Sequence, residues 1–288
     1  MAKQLNDIIL VPTDFSETCQ NAINYGVELA EYLDYNLLIL HVINRESKSQ
    51  LKKDKEEVSS ITNKLKAIAN DIMEKSRITV ETLTKEGSIF DEIHGTAEDI
   101  GAKLMVLGTH GKKGLQYLVG SHALKVVTKA PVPTIVVQKG SIKKGFKNIV
   151  FPINTFTEAR QQVQWAIHMA KTFDSCINIF REKHTVVTLD GKINIVSEQI
   201  KKAFNKYGIK YKITDAEKGG RFAEQMLNHA TAEKADMIMI MTDADIFSPN
   251  FNAEAWDEKV MFNKAEIPVM CINPVMTGKV YYEYITLL

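Results

Sequence analysis

The phrase Asn6-Asp7-Ile8-Ile9-Leu10-Val11-Pro12 returns as Phe146-Lys147-Asn148-Ile149-Val150-Phe151-Pro152. Adding 140 carries Pro12 onto Pro152, Tyr25 onto Trp165, Leu29 onto Met169 and Ala30 onto Ala170. Further along, an offset of 133 carries Gly87 onto Gly220, Ala97 onto Ala230 and Thr109 onto Thr242. At the end an offset of 135 carries Pro133 onto Pro268. Similar phrases in one order with a small drift mark a duplicated domain. The drift belongs in loops, where length changes cost little. A chain of 288 residues also suits two domains at about 150 residues each. The expected division is residues 1–140, residues 146–274 and a tail, 275–288. Lys139–Gly145, rich in Gly, Ser and Lys, reads as the exposed connection.

Within the first repeat, short apolar runs alternate with amphipathic segments. The runs Asp7–Val11, Asn36–Val42, Ile78–Leu83, Lys103–Leu107 and Pro133–Val137 have the length and composition of strands buried on both faces. Ala22, Tyr25, Leu29 and Leu33 step by three or four, as one face of a helix does. Val58, Ile61, Leu65, Ile68 and Ile72 do likewise, as do Phe90, Ile93 and Ala97. Strand–helix alternation predicts an α/β architecture with a parallel sheet and right-handed crossovers. The charge-rich Ser47–Glu57 reads as the solvated start of a helix.

Composition removes several function classes. Lys plus Arg less Asp plus Glu is 36 − 35 = +1, so no general attraction to nucleic acid or an anionic membrane arises. Basic residues form no stripe interleaved with aromatics. Cys19, Cys176 and Cys271 make no CxxC pair and no disulfide framework, as in a reduced cytoplasmic protein. The opening residues lack the apolar core of a signal peptide, and no run is long enough to span a membrane.

Chemistry concentrates after the fourth run. Gly108-Thr109-His110-Gly111-Lys112-Lys113-Gly114 follows a strand, and Gly120-Ser121-His122 opens a helical segment. Glycines let a backbone approach an anion, and a helix N-terminus offers free amides and positive potential. The set therefore suits a phosphate, but equally a turn followed by a helix cap at Ser121. Lys112 and Lys113 are either phosphate partners or exposed loop lysines. Asp14, where the first strand gives way to the first helix, is either an acceptor for a base or ribose or a helix cap. There is no Gly-Lys-Ser/Thr P-loop and no carboxylate pair beside the glycines to hold a metal.

These phrases resemble the universal stress protein family in its tandem form. The resemblance rests on Pro12-Thr13-Asp14-Phe15-Ser16, the Gly87 turn, Gly108-x-x-Gly111 before Gly120-Ser121, and His122–Val137. It implies two Rossmann-like (adenine nucleotide alpha hydrolase-like) domains, each a five-stranded parallel sheet with helices on both faces. The family divides into members that bind ATP and members that do not. Carried over by motif position, Asp14 would contact adenine and Val42 would line its pocket. Gly108, His110, Gly111, Gly120, Ser121 and His122 would hold ribose and phosphates. The spacer Lys112–Val119 has eight residues where the family has nine, which shortens the loop. The resemblance further implies that the two domains pair through Pro133–Val137 and Pro268–Ile272. A homodimer is the expected assembly.

The second repeat has Met241-Thr242-Asp243-Ala244-Asp245 at the matching strand end, with no Gly-x-x-Gly. Asp243, Asp245, Glu254, Asp257 and Glu258 would repel phosphate, and Asn154 stands for Asp14. The expectation is a non-catalytic cytoplasmic stress protein holding ATP or a related adenine nucleotide in its first domain, with no metal. The alternative is a nucleotide-free dimeric interaction or scaffold protein.

Overall fold

The computed structural model describes residues 7–109, 120–140, 145–155, 159, 162–242 and 256–274, with backbone only at 120–122 and 256–257. The chain divides into two compact units, Met1–Lys144 and Gly145–Leu288.

The first unit runs β1 (Ile8–Pro12), α1 (Glu17–Leu33), β2 (Asn36–Ile43), α2 (Arg45–Asp54), α3 (Val58–Lys75), β3 (Val80–Glu86), α4 (Ile89–Asp99), β4 (Leu104–Gly108), α5 (Gly120–Thr128) and β5 (Thr134–Val137). Its strands lie in the order β3-β2-β1-β4-β5. Each neighbouring pair is parallel. The second unit runs β6 (Asn148–Ile153), α6 (Val163–Phe173), β7 (Cys176–Arg181), α7 (Val187–Tyr207), β8 (Lys210–Asp215), α8 (Phe222–Ala232), β9 (Met237–Met241), α9 (Trp256–Met261) and β10 (Val269–Ile272). Its order, β8-β7-β6-β9-β10, repeats the first, again all parallel. Register repeats too: Ile8 pairs with Asn36, and Asn148 with Cys176. Both units are thus five-stranded, parallel and Rossmann-like.

The central strands β1 and β4 are buried almost throughout because helices cover both faces. β3 departs from the expected pattern. It spans Val80–Glu86 rather than Ile78–Leu83 and is mostly half-buried, since among the described residues it pairs only with β2. An edge strand tolerates Lys85 and Glu86, and that polarity hid its end. In α3 the buried stripe is Ile61, Leu65, Ala69 and Ile72, while Val58 is exposed. Ser47–Glu57 is largely helical and exposed, as its charge implies. It falls mostly within α2, a separate helix capped by Asn44, whose side chain accepts from the Ser47 amide, and closed by Lys55 in the left-handed region (φ 55°).

Gly108 ends β4 under α1. A Cβ there would stand 2.6 Å from the Thr18 carbonyl oxygen. Only glycine lets helix and strand approach this closely. Among the described residues no helix is long and apolar enough to cross a membrane.

Candidate functional site

In a parallel sheet whose order runs outward in both directions from β1, ligands bind beyond the carboxyl ends of the strands. The first unit has a cavity of ≈450 Å³ there. Pro12, Thr13, Asp14 and Phe15 leave β1 along one wall, and Leu40, His41 and Val42 end β2 along another. Ile89 and Ile93 of α4 add apolar surface. Ser47, Gln50, Leu51 and Asp54 of α2, with Ile61 and Lys64 of α3, close the far side. Asp14 and Val42, singled out from separate phrases, thus line one cavity.

Each residue of Thr13-Asp14-Phe15-Ser16 has a local task. The Thr13 hydroxyl oxygen accepts from the Phe15 amide at 3.1 Å. Asp14 Oδ1 accepts from the Ser16 amide at 2.8 Å. Ser16 is the N-cap of α1 and accepts from the Cys19 amide at 3.3 Å. The cap reading of Asp14 is therefore corrected by two residues: Ser16 caps, and Asp14 makes the side-chain turn before it. These bonds hold Phe15 at φ 65°, a left-handed conformation costing about 1–2 kcal/mol for a residue with a Cβ.

The held Phe15 ring stacks on His41, centroids 4.8 Å apart. His41 Nδ1 lies 2.8 Å from the Thr13 carbonyl oxygen. A carbonyl only accepts, so Nδ1 carries the proton and Nε2 is the acceptor. Nε2 is buried without a hydrogen-bond partner among the described residues. Burial pushes the His41 pKa below its ordinary value, outweighing the Thr13 carbonyl and Asp14. Cys19 is buried beside Asp14. Burial first, then the Asp14 charge, push its thiol up to about 12, so it remains protonated.

Of the other predicted site residues, Gly108 is described but does not line this cavity. Its contact with Thr18 gives it a packing role. Gly120, Ser121 and His122 all lie within α5, so Ser121 is helical rather than its cap. Their side chains, together with His110, Gly111, Lys112 and Lys113, lie outside the described residues, as does the tail 275–288. Sequence reasoning missed Thr13, His41 and the α2 face. The 47, 50, 51, 54 spacing was the available signal for α2. Among the described residues no group of three or more His, Cys, Asp or Glu is placed to hold a metal.

The second unit differs at the matching place. By register, Glu182 stands where Val42 does and Arg181 where His41 does. Arg181 forks onto Asp215, Nε to Oδ1 at 2.7 Å and Nη2 to Oδ2 at 3.0 Å. Lys183 reaches Asp190 at 3.3 Å and Asp215 at 3.7 Å. Glu182 accepts from the Thr155 amide and lies 3.1 Å from His184 Nε2. The His184 amide, then Lys183, hold the Asp190 carboxyl below its ordinary value. An apolar floor is replaced by paired charge. Asp243, Asp245 and Glu254, and the side chain of Asp257, lie outside the described residues.

Three comparisons bear on this geometry. The profile described as the Universal stress protein family matches residues 6–138. A universal stress protein of Methanocaldococcus jannaschii is 32% identical over 152 residues, 46% of this chain and 94% of that protein. A second from the same organism is 31% identical over 142 residues, 46% of this chain and 81% of it. Among solved structures, a universal stress protein from Archaeoglobus fulgidus is similar with TM-score 0.71 at 18% identity, covering 94% of this chain and 99% of that one. That likeness extends the shared fold through both repeats.

Proposed function

The chain belongs to the universal stress protein family, and from that membership we propose that its first unit binds ATP or a related adenine nucleotide without turning it over. The supporting observation is the cavity that brings Asp14 and Val42 together at the carboxyl ends of β1 and β2. Val42 and Ile93 offer apolar surface to a base, and Asp14 offers an acceptor to its amino group or to ribose. The N-terminus of α5 is the proposed phosphate end, since the amides of a helix N-terminus suit phosphate. The second unit is proposed not to bind nucleotide in this manner, because Glu182 and its partners occupy the base position.

We read the site as a binding module: Cys19 is held as a thiol, and the open acceptor of His41, Nε2, is buried. Equilibrium dialysis with radiolabelled ATP, on full-length protein freed of copurified small molecules, should give one nucleotide per chain. Asp14→Asn, which keeps an acceptor for Ser16 but removes the charge, should weaken binding about tenfold, as loss of one charge-assisted bond does. No binding at millimolar ATP overturns the reading.

A further inference from the structure

The helix α2 is built unlike its neighbours. It has no buried residue, whereas α1, α3 and α4 each bury a stripe. Ser47, Gln50, Leu51 and Asp54 follow the i, i+3, i+4, i+7 spacing of one helical face, and these four line the cavity. A helix seated permanently on a core carries apolar residues on such a face. Here Leu51 alone is apolar.

Little ties α2 down. Lys48 Nζ meets Glu86 Oε2 at 2.6 Å, but both side chains are about half exposed, 51% and 55%, and exposed pairs contribute little. The helix is self-contained at both ends. Asn44 Oδ1 accepts from the Ser47 amide at 2.8 Å and the Ser47 hydroxyl at 3.0 Å. Lys55, left-handed at φ 55°, turns the chain away before α3.

The α2 groups that line the cavity are mainly acceptors, with Gln50 and Asp54 also exposed to solvent. Asp54 Oδ2 already accepts from Gln50 Nε2 at 2.9 Å, which sets the two side chains as a pair. The second Asp54 oxygen and the Ser47 lone pairs retain acceptor capacity. Lys64, which also lines the cavity, is paired to Glu56 at 3.0 Å, so with Asp14 and Asp54 this lining favours donors, such as an amino group on a base or ribose hydroxyls, over phosphate.

We infer that α2 is the movable wall of the nucleotide cavity, opening to admit the ligand and closing its Ser47–Gln50–Asp54 face over the base and ribose. The inference rests on the nucleotide reading above and adds to it how the site is entered and which residues complete it.

Hydrogen–deuterium exchange on the full chain tests it, using ATP and AMP as probes. In the free protein, amides of 45–54 should exchange at least tenfold faster than the central amides of α1 and α3. Saturating ATP should slow them about tenfold, and AMP should do the same, because the base and ribose end carries the contact. Gln50→Ala with Asp54→Asn should weaken AMP and ATP alike by about tenfold. Two results overturn the inference while the nucleotide reading stands: α2 protected in the free protein as well as α3 is, or nucleotide bound by dialysis with exchange at 45–54 unchanged. Absence of binding in dialysis overturns the nucleotide reading first, and the closure with it.

Discussion

Nδ1 of His41 lies 2.8 Å from the carbonyl oxygen of Thr13, so the buried imidazole ties the end of β2 to the backbone leaving β1. Phe15 covers the ring from one side. One neutral side chain thereby joins two walls of the cavity.

Stability should fall as the solution is acidified through the range of that ring. Burial lowers the His41 pKa in the native state, and burial lowers His168 and His229 too. Between the native value and about 6.5, the ordinary histidine value, the unfolded chain binds more protons than the folded one. The contribution is therefore complete above about 6.5 and is lost as pH falls through the native value. Urea unfolding at pH 7.5 and 5.5 measures the loss. His41→Gln should lose less between the two than the unaltered protein; an equal loss would contradict the assignment.

Two glycines should respond in opposite directions. Gly108→Ala drives a Cβ to 2.6 Å from the Thr18 carbonyl oxygen and should destabilise by about 1–3 kcal/mol, as overpacking does. Gly191 lies within α7 with nothing inside 4 Å of a built Cβ. Gly191→Ala should stabilise by about 0.5–1 kcal/mol through helix propensity. Denaturant midpoints of the two variants make the comparison.

Thiol chemistry should be selective. Cys19 is 3% exposed and its thiol is pushed up to about 12, while Cys271 is buried and Cys176 is half-buried. Ellman's reagent on native protein at pH 8 should label Cys176 well before Cys19. Asp14→Asn should leave Cys19 slow, because burial is the larger cause. Rapid labelling in that variant would assign the protection to charge instead.

The charged cluster in the second unit should matter for folding and not for ligand. Arg181→Lys keeps the charge but loses the fork on Asp215, and should cost about 1 kcal/mol. Dialysis with ATP should give the same stoichiometry and affinity as the unaltered chain. A fall in affinity would place part of the ligand contact outside the first unit.

The duplication, the alternation and the parallel order were legible because buried strands leave an apolar signature whose spacing survives drift in the loops. Asp14 and Val42 were legible only as members of phrases; neither spacing nor composition says that they share a cavity. α2 was legible only as the solvated start of a helix, because its cavity face is polar and periodicity detects helices through apolar stripes. β3 was cut short at Leu83 for the opposite reason, since an edge strand need not stay apolar to its end. His41 gave no sign at all, since a histidine inside Leu38–Ile43 looks like an interruption of an apolar run. Its meaning comes from Thr13, twenty-eight positions earlier.

Glu182, Lys183 and His184 all stand just past the last residue of β7, where the Glu182 amide still donates to the Ile153 carbonyl oxygen of β6. Exchanging residues beyond the end of a strand leaves its pairing untouched. Arg181, which matches His41, lies inside β7, so the two copies diverge within a strand as well as at its rim while keeping the same pairing.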